Sequence, residues 1–92
     1  MLREAEEEMK RAKLYYERKV PGLGDKFLDE LELGFFQIQS NPERWPKMDQ
    51  ENRKYIIKRF PFKIIYRIDP NVVIIIAIAH HKQKPDYWRK RK

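Results

Sequence analysis

Two adjacent histidines, His80 and His81, end an apolar run in the C-terminal part of the chain, and Lys82, Lys84 and Tyr87 follow within a few residues. Histidine transfers protons near neutral pH, and lysines stabilise negative charge that develops on a phosphate. Attack of a ribose 2′-hydroxyl on the neighbouring phosphorus needs only a base, an acid and cations, with no metal. The spacing therefore predicts an anion-facing site at the end of a strand.

Further candidate residues precede and follow this segment. Four cations precede it: Lys54, Lys58, Lys63 and Arg67. One aromatic residue, Trp88, follows it. Together they predict binding of phosphates or of an acidic partner. Two alternatives stay open: Lys54 and Lys58 are also typical of solvated strand residues or of a docking surface for an acidic protein. A lone histidine at a strand end is equally typical of a hydrogen-bonded structural residue.

A metal or cofactor site is not expected. The chain contains no cysteine, and no glycine-rich phosphate loop is present. Adjacent histidines on an extended backbone point to opposite sides, so they make a poor pair of ligands for one metal ion. The chemistry predicted for this chain uses protein side chains alone.

The N-terminal part predicts an antiparallel helical hairpin over about residues 3–40. Apolar residues recur there at helical spacing, beginning with Leu2, Ala5, Met9, Ala12 and Tyr16. The segment 21–24, Pro-Gly-Leu-Gly, ends the first helix near Lys19. Gly24 or Asp25 is the expected cap of a second helix, which Asn41-Pro42 ends.

Three strands are predicted over about residues 53–79, at 53–59, 63–68 and 72–79, separated by turns at Phe60-Pro61-Phe62 and Asp69-Pro70-Asn71. The third is apolar on both faces, which is typical of a central strand. Tyr87 and Trp88 are expected to shield the sheet face that the helices leave open. The predicted class is α+β, with a helical hairpin packed on a small antiparallel sheet. Residues 80–92 form a basic C-terminal tail, of which 89–92 are expected to be disordered.

Length and charge limit the function classes. The 92 residues predict one domain, 1–92. Residues 1–34 contain seven basic and nine acidic side chains, whereas residues 35–92 contain fourteen basic and five acidic ones. The C-terminal part of the protein is therefore a polycation. No apolar stretch approaches the roughly 20 residues of a membrane helix, and no signal peptide is evident. A cytoplasmic protein without membrane contact is expected.

Several spaced motifs resemble one known family. They are Tyr15-Tyr16-Glu17, PGLGDKF at 21–27, Asn41-Pro42, FPFKIIYR at 60–67, and Ala79-His80 with PDYW at 85–88. Together they look like the RelE/ParE superfamily of type II toxin–antitoxin toxins, which are plasmid-stabilisation proteins. The resemblance implies an antitoxin partner and one of two activities. RelE-like members cleave mRNA in the ribosomal A site, and ParE-like members inhibit DNA gyrase.

The resemblance also implies roles for individual residues. In the nuclease branch Lys63, Arg67 and Lys82 would contact the phosphate, and His80 or Tyr87 would move protons. Lys54, Lys58, His81, Lys84 and Trp88 would contact the nucleic acid or the protein target. The His80 position and the ending Pro85-Asp86-Tyr87-Trp88 are more similar to the ParE branch.

One feature departs from the family pattern. Its members usually begin with a strand before the first helix, whereas Met1 already stands at the start of that helix. An exposed sheet edge is therefore expected, open to an antitoxin segment or to a second copy in a homodimer. Three functions stay open: a ribosome-dependent mRNA endonuclease, a non-catalytic gyrase inhibitor, or an inactive antitoxin-binding member.

Overall fold

A computed structural model describes residues 1–91, and it confirms the predicted order of two helices followed by three antiparallel strands. Helix α1 spans Arg3–Lys19 and helix α2 spans Leu23–Ser40. Their ends agree with the predicted stops at 21–24 and at Asn41-Pro42. Lys92, the last residue of the predicted tail, lies outside the described residues. Neither helix within residues 1–91 is both long enough and apolar enough to cross a membrane.

The turn between the helices differs from the expected cap. The residue before α2 is Gly22, with φ of 88°, so neither Gly24 nor Asp25 occupies the cap position. The carboxylate of Glu17 on α1 accepts the N–H groups of Gly22 at 2.8 Å and of Gly24 at 3.0 Å. A side chain from α1 thereby satisfies the free N-terminal amides of α2, which a local sequence pattern does not reveal.

The sheet contains β1 (Asn52–Ile56), β2 (Phe62–Asp69) and β3 (Val72–His80), in the order β1-β2-β3. The prediction that the third strand is central is wrong, because β2 lies between its neighbours and β3 forms an edge. An apolar run indicates that both faces of a strand are covered, but it does not indicate whether both of its edges are paired with other strands.

Strand β1 is also shorter than the predicted 53–59. It ends at Ile56, and Arg59 in the following turn has φ of 72°. The turn at Asp69-Pro70-Asn71 is confirmed, with Asn71 at φ of 70°. Between β2 and β3 the register shifts, so that Ile76 is an extra residue on β3. This bulge brings two consecutive residues, Ile76 and Ala77, to the same side of the sheet.

The two helices cover one face of the sheet, here called the helix-covered face. Its fully buried side chains include Phe27, Leu31, Ile38, Ile64 and Tyr66. Tyr16 and Phe27 pack edge-on or tilted against Phe60 and Phe62, with ring centroids 4.8 to 6.2 Å apart. Such aromatic contacts contribute about 0.5–1.5 kcal/mol each beyond burial.

The opposite face, here called the far face, is covered by the chain that follows β3. Ile65, Ile76, Ala77 and Ala79 pack there against Trp88, which is 2% exposed. Tyr87 adjoins the same cluster. The expected shielding of the sheet by the C-terminal aromatics is therefore present. The expectation of disorder from residue 89 onward is wrong as far as Arg91, because that side chain is paired with the buried Glu8.

Candidate functional site

His80 ends β3 on the helix-covered face, and its ring packs edge-on against Phe62 with centroids 5.0 Å apart. Its Nδ1 accepts the backbone N–H of Lys82 at 2.9 Å, which places the proton of the neutral ring on Nε2. Burial, followed by the nearby charges of His81 and Lys82, lowers the pKa of His80. The ring is therefore held neutral near physiological pH, and its proton acceptor Nδ1 is already occupied.

A groove of about 540 Å³ lies between α1 and this end of β3. Its wall includes Ala12, Tyr15, Phe62, Ile78, His80 and Gln83. Tyr15 is more than half exposed, and Arg11 lies at the groove's margin. The groove is lined mostly by apolar groups, and its polar groups include those of Arg11, His80, Gln83 and the carboxylate of Glu8.

Lys63 lies on the other side of the sheet from His80. Along β2 the side chains of Phe62 and Ile64 belong to the helix-covered core, so Lys63 between them faces the far side. Its cross-strand partner Ala79 belongs to the far-face cluster. The structure therefore separates the proposed phosphate contact at Lys63 from the proposed proton carrier at His80.

Two further predicted cations share the far face with Lys63. Lys54 on β1 is paired with Ile65, which belongs to the far-face cluster. Arg67 follows Ile65 by two residues on β2, so its side chain is on the same face. Arg67 Nε donates to Asp69 Oδ1 at 2.8 Å, so its charge is already partnered within β2. The far face gathers these cations beside apolar packing.

Tyr87 is not available as a proton carrier near neutral pH. Its hydroxyl donates to Glu8 Oε2 at 2.5 Å. Burial and this hydrogen bond raise the pKa of Tyr87 well above its usual range. Trp88, the next residue, is buried in the far-face cluster and fills a packing position. Both aromatics of the predicted site thus have structural contacts.

The other predicted residues lie on the surface. Lys58, His81, Lys82 and Lys84 are all exposed. The backbone N–H of His81 donates to the carbonyl of Pro61 at 2.9 Å, which extends the pairing of β2 and β3 by one step. Among residues 1–91 no group of three His, Asp or Glu side chains lies close enough to hold a metal ion. What the structure gathers around the end of β3 is a cationic surface patch, here defined as His81, Lys82 and Lys84.

Three residues with important contacts were not identified from the sequence: Glu8, Gln83 and Arg91. Glu8 is 6% exposed and binds the backbone of β3, Tyr87 and Arg91. One signal was available, because Glu8 stands three residues after Ala5 and four before Ala12, on the buried stripe of α1. A carboxylate on an apolar stripe indicates a buried pairing partner elsewhere in the chain.

The fold defines a structural class: a small α-helical hairpin on a three-stranded antiparallel sheet, with the cationic patch exposed at the end of β3. Residues 1–85 match the family model described as ParE toxin of type II toxin-antitoxin system, parDE. The chain belongs to this family, which confirms the resemblance seen in the sequence.

A solved structure has a similar fold. It is described as a chromosomal ParDE TA system from P. aeruginosa, and it superimposes with a TM-score of 0.76. The sequence identity is 17%, and the match covers 86% of this chain and 89% of the other. No match was found among curated protein sequences.

Proposed function

We propose that the protein is a toxin that acts by binding DNA gyrase and inhibiting it without catalysis. The observation that carries this proposal is the family match over residues 1–85, which names the ParE branch. ParE-like members of the superfamily inhibit gyrase, whereas RelE-like members cleave mRNA. A binding inhibitor requires an exposed complementary surface, and it does not require an acid and a base to converge on one bond.

The site geometry supports the same proposal. Lys63 and His80 lie on opposite faces of the sheet, and the hydroxyl of Tyr87 is engaged by Glu8. Proton transfer in catalysis requires a donor and an acceptor within hydrogen-bond reach of the same reacting group. By contrast, the exposed patch of His81, Lys82 and Lys84 suits an acidic protein surface.

The mRNA endonuclease remains the alternative. In that function Lys63, Arg67 and Lys82 hold phosphate, and His80 or Tyr87 moves protons. The cations of the far face, Lys54 and Lys63, favour it because they suit a polyanionic backbone. Using them with His80 would require the RNA to pass around the end of the sheet.

A cognate antitoxin is part of the proposal. A toxin of this class is held inactive by the product of a neighbouring gene, and the fourteen basic residues against five acidic ones in residues 35–92 suit an acidic antitoxin. Both candidate targets place the protein in the cytoplasm. Co-purification with a short acidic protein encoded beside this gene tests the pairing. Recovery of the toxin alone from such co-expression would contradict it.

One paired experiment separates the two activities. Purified protein is added to gyrase in a supercoiling assay and, in parallel, to translating ribosomes with a defined mRNA. The expected result is loss of supercoiling with intact transcripts. Cleaved transcripts alongside normal supercoiling would instead establish the endonuclease.

The binding surface has its own test. The double variant Lys82→Ala/Lys84→Ala should weaken gyrase inhibition about tenfold, equivalent to about 1.4 kcal/mol. The matched control Lys10→Ala/Lys26→Ala removes the same charge from exposed helix positions and should leave inhibition unchanged. Equal losses in both variants would show that net charge, and not the patch, is recognised.

A further inference from the structure

The outer edge of β3 is the feature that the toxin function does not explain. An edge strand presents unpaired N–H and C=O groups that pair readily with another strand. Here the N–H of Ile78 donates to Glu8 Oε1 at 3.0 Å, and Arg91 Nη1 donates to the carbonyl of Ile76 at 3.2 Å. Two side chains thus occupy positions that a neighbouring strand would otherwise take.

The two ends of the same edge are also engaged. The N–H of Leu2 donates to the carbonyl of Ile75 at 2.9 Å. At the other end Gln83 Oε1 accepts the N–H of His80 at 2.8 Å. The expectation of an open edge is therefore wrong for residues 75–80, because contacts from α1, the N-terminus and the C-terminal segment close it.

Glu8 is the centre of this closure. Besides Ile78, its two oxygens accept the hydroxyl of Tyr87 at 2.5 Å and both terminal nitrogens of Arg91 at 2.8 and 3.0 Å. The Arg91 side chain is 16% exposed and that of Glu8 is 6% exposed. A buried, bidentate and fully hydrogen-bonded pair holds its geometry, and loss of one partner leaves the other charge buried. Glu8 therefore joins α1, the edge of β3 and the end of the chain.

The strand that this network covers is suited to self-association. Residues 72–79 read Val-Val-Ile-Ile-Ile-Ala-Ile-Ala, with no charge and no proline. An uncharged edge strand rich in β-branched residues pairs readily with a copy of itself, because its unpaired backbone N–H and C=O groups find partners and no charge opposes the approach. Antiparallel pairing of two such strands about a two-fold axis also closes the assembly.

We propose that Glu8, together with Arg91, is a latch that prevents the outer edge of β3 from pairing with the β3 edge of a second copy of the chain. When the latch is in place the protein is monomeric. When Glu8 is removed, the Ile78 amide loses its acceptor. Arg91, which donates to the Ile76 carbonyl, then also loses the carboxylate that holds it, so the middle of the edge becomes available. The latch is independent of the proposed gyrase inhibition, and it explains why an acidic residue stands on the buried stripe of α1.

The test compares Glu8→Ala with Glu8→Gln and with the control Glu7→Ala. Alanine keeps the helix but removes both acceptors, whereas glutamine keeps one oxygen for the Ile78 amide. Glu7 neighbours Glu8 on α1 but is exposed, and its salt bridge is to Arg3 on the same helix. Light scattering after size-exclusion chromatography measures the molecular mass over a wide concentration range. Hydrogen exchange measures how well the Ile78 amide is protected from solvent.

The expected result is a concentration-dependent dimer for Glu8→Ala, with exchange at Ile78 faster by about tenfold or more in the dilute monomer. Glu8→Gln and Glu7→Ala stay monomeric and protected. A folded Glu8→Ala protein that is monomeric, or that exchanges Ile78 at the normal rate, overturns the proposal.

If Glu8→Ala fails to fold, the variant Arg91→Ala tests the latch instead. This variant frees the Ile76 carbonyl and detaches the end of the chain while Glu8 still accepts the Ile78 amide. A weaker dimer for Arg91→Ala supports the latch. A monomer at every concentration overturns it.

Discussion

The two faces of the sheet are covered in different ways. On the helix-covered face two long helices supply large side chains, and Phe27, Leu31 and Ile64 are fully buried. On the far face a segment without helix or strand supplies mainly Trp88, packed over the small residues Ala77 and Ala79. One face is closed by two helices with repeated apolar positions, and the other mainly by Trp88, with Tyr87 and Met48 packed beside it.

The difference also extends along β1. Tyr55 is buried on the helix-covered face, whereas Ile56 on the far face is 56% exposed. Trp88 therefore does not cover the part of the far face beside β1. Lys54 and Lys63 lie in this uncovered part. Both faces therefore contribute to the core, but the part of the far face beside β1 is left exposed.

The largest effect is expected from Trp88→Ala, which removes the anchor of the far face. Loss of a buried tryptophan costs about 3–5 kcal/mol in the free energy of unfolding. Urea denaturation measures the loss. The control Phe36→Ala truncates an aromatic that is 66% exposed and should change stability by less than about 0.5 kcal/mol. Similar stabilities for the two variants would show that Trp88 does not close the far face.

A sharper comparison uses neighbours on the central strand. Ile64 and Ile65 are both fully buried, and they face opposite sides. Each change to alanine costs about 2–5 kcal/mol, depending on how far the site can collapse. Ile64→Ala should cost more, because helices relax less than the irregular segment that carries Trp88. The same urea series measures both, and a larger loss at Ile65 would reverse the contrast between the faces.

Gly34→Ala should be destabilising although alanine favours helix. An added Cβ would lie 2.7 Å from Ile64 Cδ1 and 3.0 Å from Tyr55 Cε1. Overpacking costs about 1–3 kcal/mol, against roughly 1 kcal/mol gained in helix propensity. Thermal denaturation should show a lower melting temperature. Ile64→Val, which removes the obstructing carbon, should restore part of the loss in the double variant, and strict additivity would refute the contact.

The smallest effect concerns His80, at the open end of the helix-covered face. Its pKa should lie below 6.5 by NMR titration, because burial and nearby positive charge disfavour the imidazolium. A lowered pKa in the folded state means that this contribution to stability is complete above pH 6.5 and is lost as the pH falls through the folded pKa. Lys82→Ala should move the pKa of His80 upward, and an unchanged value would exclude Lys82 as a contributor.

Much of the fold was predictable because its signals are local. The period of Ala5, Ala12 and Tyr16 identified α1, and the turn residues at 69–71 separated β2 from β3. The order of the strands in the sheet was not predictable, because the apolar run at 72–79 indicates that both faces of this strand are buried but contains no information on which of its edges is paired. The cap at Gly22 depends on Glu17, one helix away.

The candidate site was predictable in composition but not in arrangement. The motifs around FPFKIIYR and PDYW identified the family, and the predicted contact residues Lys82 and Lys84 are exposed in the structure. The sequence did not show that Lys63 and His80 would face opposite sides of the sheet, because that depends on the register between β2 and β3.

The sequence by itself determined the family, the helical hairpin, the three strands and the polycationic second half, since each follows from periodicity, turn chemistry or charge counted along the chain. Only the tertiary structure decided that β3 is an edge, that Lys63 and His80 are separated, and that Tyr87 is held by Glu8. These outcomes depend on contacts between residues up to 83 positions apart, such as Glu8 with Arg91. No local pattern specifies a pairing over that distance, because the energy that selects it arises only when the elements pack.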